Sequence, residues 1–295
     1  MITIIDGGMG GELIRRGAGS RTQLWSAQAI LDAPETVVTV HRDYIDAGAR
    51  IIITNSYSTI PSYLAKLDMA DRYVELTDLA GKLARQAADT AAVSVRVAGS
   101  LPPLSESYRA DLVPPDEEAL PIYAKLAAAL APSIDLFICE TMSCAREARN
   151  AARMALEATG AQKPVFVSWT LAEAPGQGLR SGESIAQAFE LLADLDIAAF
   201  LFNCTSPEAI TAGLLELRDI TEKPIGAYPN RFHVPEGWTL DNDVTTDYHE
   251  LSVAQYVEHA IRWIESGASM VGGCCGIGPE YIEAIAARIT RQERL

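Results

Sequence analysis

A single (β/α)8 TIM barrel over residues 1–295 is the fold this sequence predicts, and three observations predict it. Eight short β-branched or apolar runs alternate with longer amphipathic stretches from one end of the chain to the other. Near-continuous apolar strands crossed by helices belong to a parallel sheet. At 295 residues, eight such units favour a closed barrel, because barrels of this length routinely form one domain. The rival, an open doubly wound sheet, calls for a Gly-x-Gly-x-x-Gly that opens a helix. Gly7-Gly8-Met9-Gly10-Gly11 has the wrong spacing and no clear acidic partner ~20 residues on.

In chain order, the first strand is expected over Ile2–Asp6, which the Ile-Thr-Ile-Ile run defines, and the second over Arg50–Thr54, around three isoleucines. The helix between them is expected over Pro34–Ala47. Further strands are expected over Val93–Gly99, Ile134–Glu140, Val165–Leu171, Ile197–Asn203, Pro224–Tyr228 and Ala268–Gly273. The intervening helical patterns are Met69–Ala91, Glu117–Leu130, Cys144–Thr159, Ser184–Leu195, Pro207–Ile220, Ser252–Ser266 and Pro279–Arg291. No repeat, linker or low-complexity tract divides them.

A barrel places its chemistry at the C-terminal ends of its strands. Asp6, Thr54, Asn55, Glu140, Asn203, Cys204, Cys274 and Cys275 all fall at such ends. Long loops follow the third and seventh strands: Ser100 to Asp116 carries four prolines, and Pro229 to Asp247 carries Arg231, Phe232, His233 and Trp238. Loops this long in a compact domain are usually lids or binding loops.

The composition sets limits on partners. Hydrophobic residues make up 48% and aromatic residues 7% of the chain, as in an ordinary globular enzyme. With 24 Lys and Arg against 39 Asp and Glu, the formal charge is −15 and there is no basic patch. Nucleic acid and acidic membranes are therefore not expected partners. No apolar run reaches the ~18 to 20 residues of a spanning helix. The N-terminus begins with a strand and lacks signal-peptide regions, so the expected compartment is the cytoplasm. Five cysteines in such a chain point to thiol or metal roles rather than disulfides.

The sharpest local signal is Val271-Gly272-Gly273-Cys274-Cys275-Gly276. Zn²⁺ prefers thiolates, with sulfur at roughly 2.3 Å, and a catalytic site takes three protein ligands and leaves a fourth position open. Cys274 and Cys275 supply two, and flanking glycines permit the turn that brings neighbours to one ion. A bland reading, two small buried residues filling a tight turn, stands beside this one. Cys204, in a strand-to-helix turn after the apolar run Ala198–Phe202, is the best third ligand. Cys139 lies inside an apolar strand and reads as core, whereas Cys144 begins a helix; none of His41, His233, His249 and His259 sits in a metal-binding pattern. Three thiolates on Zn²⁺ give a net charge of −1, a poor Lewis acid for hydrolysis. Such a site instead holds an incoming thiol as a nucleophilic thiolate.

Asp6-Gly7-Gly8-x-Gly10, Gly48 through Tyr57, Glu140-Thr141, Asn203-Cys204, Tyr228-Pro229-Asn230 and Gly272-Gly273-Cys274-Cys275-Gly276 together resemble the homocysteine S-methyltransferases. That family includes betaine–homocysteine methyltransferase and the homocysteine module of cobalamin-dependent methionine synthase. The resemblance spans almost the whole chain. It implies a homocysteine-binding barrel in which Cys204, Cys274 and Cys275 hold zinc and activate the substrate thiol. It further implies that Asp6 and Glu140 hold the homocysteine amino group and that backbone N–H groups at Gly7 and Gly8 help bind its carboxylate. Either acid could instead cap the helix that follows it. Trp25, Tyr57, Trp169, Tyr228 and Phe232 could cage an onium cation through cation–π contacts.

The expected partners are thus homocysteine and a small onium methyl donor, with methionine as product; oligomeric state is not legible. S-methylmethionine is the favoured donor and S-adenosylmethionine the next, because the short tail after Gly276 lacks the extension that betaine enzymes carry. Dimethylsulfoniopropionate, betaine, or a different thiol or selenol acceptor are the alternatives. The Gly99–Arg109 loop and Ser58-Thr59 depart from the better-known members on the presumed donor side. A non-catalytic zinc or thiol sensor and a zinc hydrolase are the rivals from other classes; the hydrolase would call for a His-x-His after the first strand, which the sequence lacks.

Overall fold

The computed structural model describes residues 2–18, 24–234 and 251–292. Eight strands form one parallel sheet: β1 (Thr3–Ile4), β2 (Ile51–Ile53), β3 (Arg96–Leu101), β4 (Leu136–Met142), β5 (Val165–Trp169), β6 (Ile197–Asn203), β7 (Ile225–Tyr228) and β8 (Ala268–Val271). They pair in the order β1-β8-β7-β6-β5-β4-β3-β2. Closure comes from the β1–β2 side. Ile5 bridges Ile51 in parallel, Asp6 N–H donates to Ile51 O (3.0 Å), and Arg50 N–H donates to Ile4 O (2.8 Å). The sheet is thus a nearly closed (β/α)8 barrel.

Helices α1 (Met9–Arg15), α2 (Ala27–Asp32) and α3 (Pro34–Ala47) follow β1, and α4 (Pro61–Leu64) and α5 (Tyr73–Asp89) follow β2. The remaining helices are α6 (Asp116–Leu130), α7 (Ala145–Thr159), α8 (Ile185–Leu191), α9 (Pro207–Ile220), α10 (Val253–Glu265) and α11 (Pro279–Gln292). The bounds expected for α3, α9 and β6 coincide with those observed. Elsewhere local chemistry moves them. Ala70–Arg72 forms a 3₁₀ turn before α5, and β5 stops at Trp169 because Leu171 leaves the sheet to pair antiparallel with Leu179.

Apolar side chains separate into two layers, as alternation along a strand demands. Ile5, Ile51, Ile138, Leu201, Tyr228 and Met270 are among those in an inner cluster that fills the barrel. A larger outer cluster joins the strands to the helices and includes Trp169. Trp169 is fully buried and stacks on Phe200 at 5.4 Å between ring centroids. Its expected place in a cation cage is therefore corrected: the indole belongs to the sheet–helix packing. No helix among the described residues is long and apolar enough to cross a membrane.

Candidate metal centre and substrate site

Cys204, Cys274 and Cys275 come together at the C-terminal mouth of the barrel, their sulfur atoms all within 4.8 Å of one another. Sulfurs bound to one tetrahedral zinc ion at ~2.3 Å each stand about 3.8 Å apart, which lies within this spacing, so the three sulfurs fit a shared ion. Among the described residues no other group of His, Cys, Asp or Glu has such geometry. Cys139 is buried in β4, and burial pushes its thiol well up. Cys144 caps α7, its sulfur accepting Glu147 N–H at 3.4 Å. His41 is buried in α3, His233 pairs with Glu173, and His259 faces Glu208; His249 and Trp238 lie outside the described residues.

The segment after β7 splints the cysteines together. Cys204 N–H donates to Tyr228 O (3.3 Å) and Cys274 N–H to Pro229 O (2.8 Å). Cys275 N–H donates to the Asn230 side-chain oxygen (3.2 Å). In return, Asn230 N–H donates to Thr205 O (3.1 Å) and Arg231 N–H to Cys275 O (2.9 Å). The turn includes both cysteines: Ile277 N–H closes on Cys274 O (3.2 Å), so Cys275 and Gly276 are its central residues. Gly276 holds φ +79° at the third position of that turn, where a type II turn needs a left-handed residue.

Cys204 itself has φ +54°, and Thr141 at the neighbouring rim has φ +60°. A non-glycine residue stays left-handed only where its surroundings impose it. Here Asn203 does so. Its side-chain oxygen accepts Thr141 N–H (2.9 Å) and Ser168 Oγ–H (2.7 Å), while its amide nitrogen donates to Thr141 Oγ1 (2.8 Å). Thr170 Oγ1–H holds the Cys204 carbonyl at 3.1 Å.

Burial alone would raise the Cys204 thiol, but hydrogen bonds from Cys274, Cys275, Tyr108 and Thr141 outweigh it and hold the pKa well below the ordinary value. Cys274 and Cys275 move up, chiefly because of those same bonds to Cys204. The cluster favours thiolate at its buried member, the form a metal requires. Tyr108 was not singled out from sequence. Its hydroxyl donates to Cys204 Sγ at 3.2 Å from the loop after β3, with the backbone at φ +69°. Tyr57, another phenol beside Cys204 and half-buried like Tyr108, bonds Ser107 Oγ at 2.6 Å.

Two acids lie buried at the same rim. Asp6 is 2% and Glu140 7% exposed, which excludes ordinary solvation of their charge. Asp6 Oδ2 accepts Ile53 N–H at 2.8 Å, and Glu140 Oε1 accepts Ser100 Oγ–H at 2.5 Å. Burial holds Asp6 well above the carboxylate range against that backbone bond, and the Glu140 charge raises it further. Burial likewise pushes Glu140 up to about 7. Neither acid caps a helix. The N-cap of α1 is Gly8, without a side-chain bond, and α7 is capped by Cys144. Buried carboxylates of raised pKa that face one another are poised for a cation.

Gly7 and Gly8 line the same mouth, with a division of labour. Gly8 N–H is already committed to Ile277 O at 2.9 Å, and a Cβ on Gly8 would stand 2.6 Å from Cys274 O. Gly8 therefore lets the β1 loop pack on the cysteine turn, whereas Gly7 N–H meets no backbone acceptor outside the strands and helices among the described residues.

Comparison with known proteins agrees with this site. The family model for homocysteine S-methyltransferase matches residues 3–289. The chain is 32% identical to homocysteine S-methyltransferase 3 of Arabidopsis thaliana, over 96% of this chain and 88% of that one. It is 29% identical to homocysteine S-methyltransferase YbgG of Bacillus subtilis, over 97% of this chain and 94% of that one. In structure it is similar to the metallated homocysteine methyltransferase MmuM of Escherichia coli, with a TM-score of 0.82 and 29% identity over 97% of this chain and 96% of that one.

Proposed function

This chain belongs to the homocysteine S-methyltransferase family, and from that premise we propose that it moves a methyl group from a small sulfonium donor to the thiol of homocysteine at a zinc centre. The family membership carries the acceptor and the reaction; the three-sulfur cluster at the barrel mouth carries the metal. Cys204, Cys274 and Cys275 would hold zinc, which when bound keeps an incoming thiol in its thiolate form at neutral pH.

The protein's own groups then bind and align. Asp6 and Glu140 receive the homocysteine ammonium, which restores both acids to their charged forms. Gly7 N–H serves the carboxylate. Tyr108 and Thr141 donate to Cys204 and keep that sulfur anionic. The homocysteine thiolate attacks the donor methyl carbon in line. A new carbon–sulfur bond forms, the electron pair of the old bond returns to the donor sulfonium, and a neutral thioether leaves. Alignment converts a two-substrate encounter into a positioned attack. We favour S-methylmethionine as the donor, then S-adenosylmethionine, with dimethylsulfoniopropionate and betaine as alternatives.

The test is zinc content measured together with methionine formation from homocysteine, offering each of the four donors to the parent and to Cys274→Ala. About one zinc per chain, with turnover lost in the variant, supports the reading. Freshly reduced parent protein that takes up no zinc sinks it.

A further inference from the structure

Arg180 is the buried cation that the chemistry above leaves unused. It projects from the loop after β5, just beyond the Leu171–Leu179 bridge, with its side chain 9% exposed. Its guanidinium carbon stands 5.1 Å from the centroid of the Tyr108 ring, and the hydroxyl of that ring touches Cys204 Sγ at 3.2 Å. The charge is thus one aromatic ring away from the cluster. Among the described residues its hydrogen bonding is sparse: Nη2–H donates to Glu173 Oε1 at 2.8 Å, and the buried Nε–H has no acceptor. Glu173 is itself shared, because its Oε1 also accepts Val234 N–H (3.1 Å) and its Oε2 meets His233 Nδ1 (2.9 Å).

A guanidinium keeps its charge at any physiological pH and carries five donors in a planar fork that matches a carboxylate. Burying a guanidinium N–H without an acceptor is costly, and such a group calls for a partner such as water, an ion or a ligand. A salt bridge that merely fastened the loop would direct the fork at Glu173, whereas here Glu173 takes one N–H and spends its other contacts on the segment after β7. The local charge also suits a zwitterion. Glu173 offsets Arg180 beforehand, so the onium centre of a donor meets no net positive field, while a carboxylate a few bonds from that centre can reach the guanidinium.

Resting on the reading of this site as a homocysteine methyltransferase, we propose that Arg180 binds the carboxylate of the methyl donor and restricts the site to carboxylate-bearing onium compounds. Homocysteine has separate partners in Asp6, Glu140 and Gly7, and Arg180 lies on the Tyr108 side of the cluster.

The test compares zinc-loaded parent, Arg180→Met and Arg180→Lys with S-methylmethionine and dimethylsulfoniopropionate, each set against its own primary amide. The amide keeps the sulfonium and loses the carboxylate charge. The expected result is a parent preference for each acid over its amide of roughly 10- to 100-fold in kcat/KM, the span of one charged hydrogen bond. That ratio should fall to near one in Arg180→Met and be partly kept in Arg180→Lys. Loss of activity by the same factor for acid and amide would assign Arg180 to loop packing and overturn the proposal, as would a parent that does not distinguish the two. A parent inactive with every onium donor would overturn the functional reading itself, an outcome marked by the silence of the parent rather than of the variant.

Discussion

The Asn230 side-chain oxygen accepts the Cys275 backbone N–H at 3.2 Å, so a residue outside the three-cysteine cluster fixes the orientation of one of its members. Asn230 is buried, and its own N–H donates to Thr205 O beside Cys204. One residue therefore joins the two loops that carry the three sulfurs. Outer contacts of this kind are typically worth about 10- to 100-fold in metal affinity. Asn230→Ala is expected to weaken zinc binding by that order, measured by competition with a chromophoric chelator. Unchanged affinity would show that the backbone bonds from Tyr228 and Pro229 suffice.

Tyr108→Phe removes one donor from Cys204 and keeps the ring on which Arg180 rests. A hydrogen bond to a charged group contributes about 1.5–3 kcal/mol. Without it the Cys204 thiolate is less stable, so the pH midpoint for metal loading should rise. Methyl transfer from acid and amide donors should fall together, leaving the acid-to-amide ratio at the parent value. A change in that ratio would move Tyr108 itself into the donor site.

How much of this was legible in the sequence follows from the range of the contacts involved. The eight strands could be read because each is an apolar run buried on both faces, and the cysteines because they stand at the ends of such runs. The closing Ile5–Ile51 bridge was implicit in the strand count. Tyr108 was legible only as part of a long loop marked for binding: its contact with Cys204, 96 residues away, left no local pattern. The splint after β7 was equally hidden, since all but one of its bonds tie the loops through backbone groups, the exception being the Asn230 side-chain oxygen. For Gly8 the resemblance implied a carboxylate-binding amide; the space the residue leaves for Cys274 O emerges only from packing.

His41 should make stability depend on pH. It is fully buried, and neither ring nitrogen has a hydrogen-bond partner among the described residues; burial lowers its pKa to about 3. The unfolded chain takes up a proton below the ordinary value near 6.5, whereas the folded chain does not. The contribution of this residue is thus complete above that value and is lost as the pH falls toward 3, by up to about 1.4 kcal/mol per unit. Glu147, raised by burial to about 7, slopes the opposite way, so the informative quantity is parent minus variant. Urea melts of parent and His41→Leu at pH 7 and pH 5 should show the variant gaining ~2 kcal/mol relative to parent at the lower pH. Parallel losses in both proteins would mean that His41 finds a proton acceptor when charged.

Under the proposed function, Glu140 makes homocysteine binding a titration. Its pKa of about 7 in the free protein means that below neutrality the carboxyl is increasingly protonated and cannot pair with the ammonium. Binding must then expel that proton. The KM for homocysteine is expected to rise as the pH falls below 7, by at most about tenfold per unit, while the donor KM moves little. Glu140→Gln removes the titrating group, so it should show a raised KM at pH 8 and a flatter dependence below 7. Deprotonation of the substrate thiol has the same sign and persists in the variant, which is why the difference between the two profiles, rather than either alone, measures Glu140. Calorimetry in buffers of different ionisation enthalpy counts the protons directly: near pH 6 the parent should release more of them on binding homocysteine than the variant does. Equal release would place the ammonium on Asp6 alone and leave Glu140 as a buried, neutral partner of Ser100.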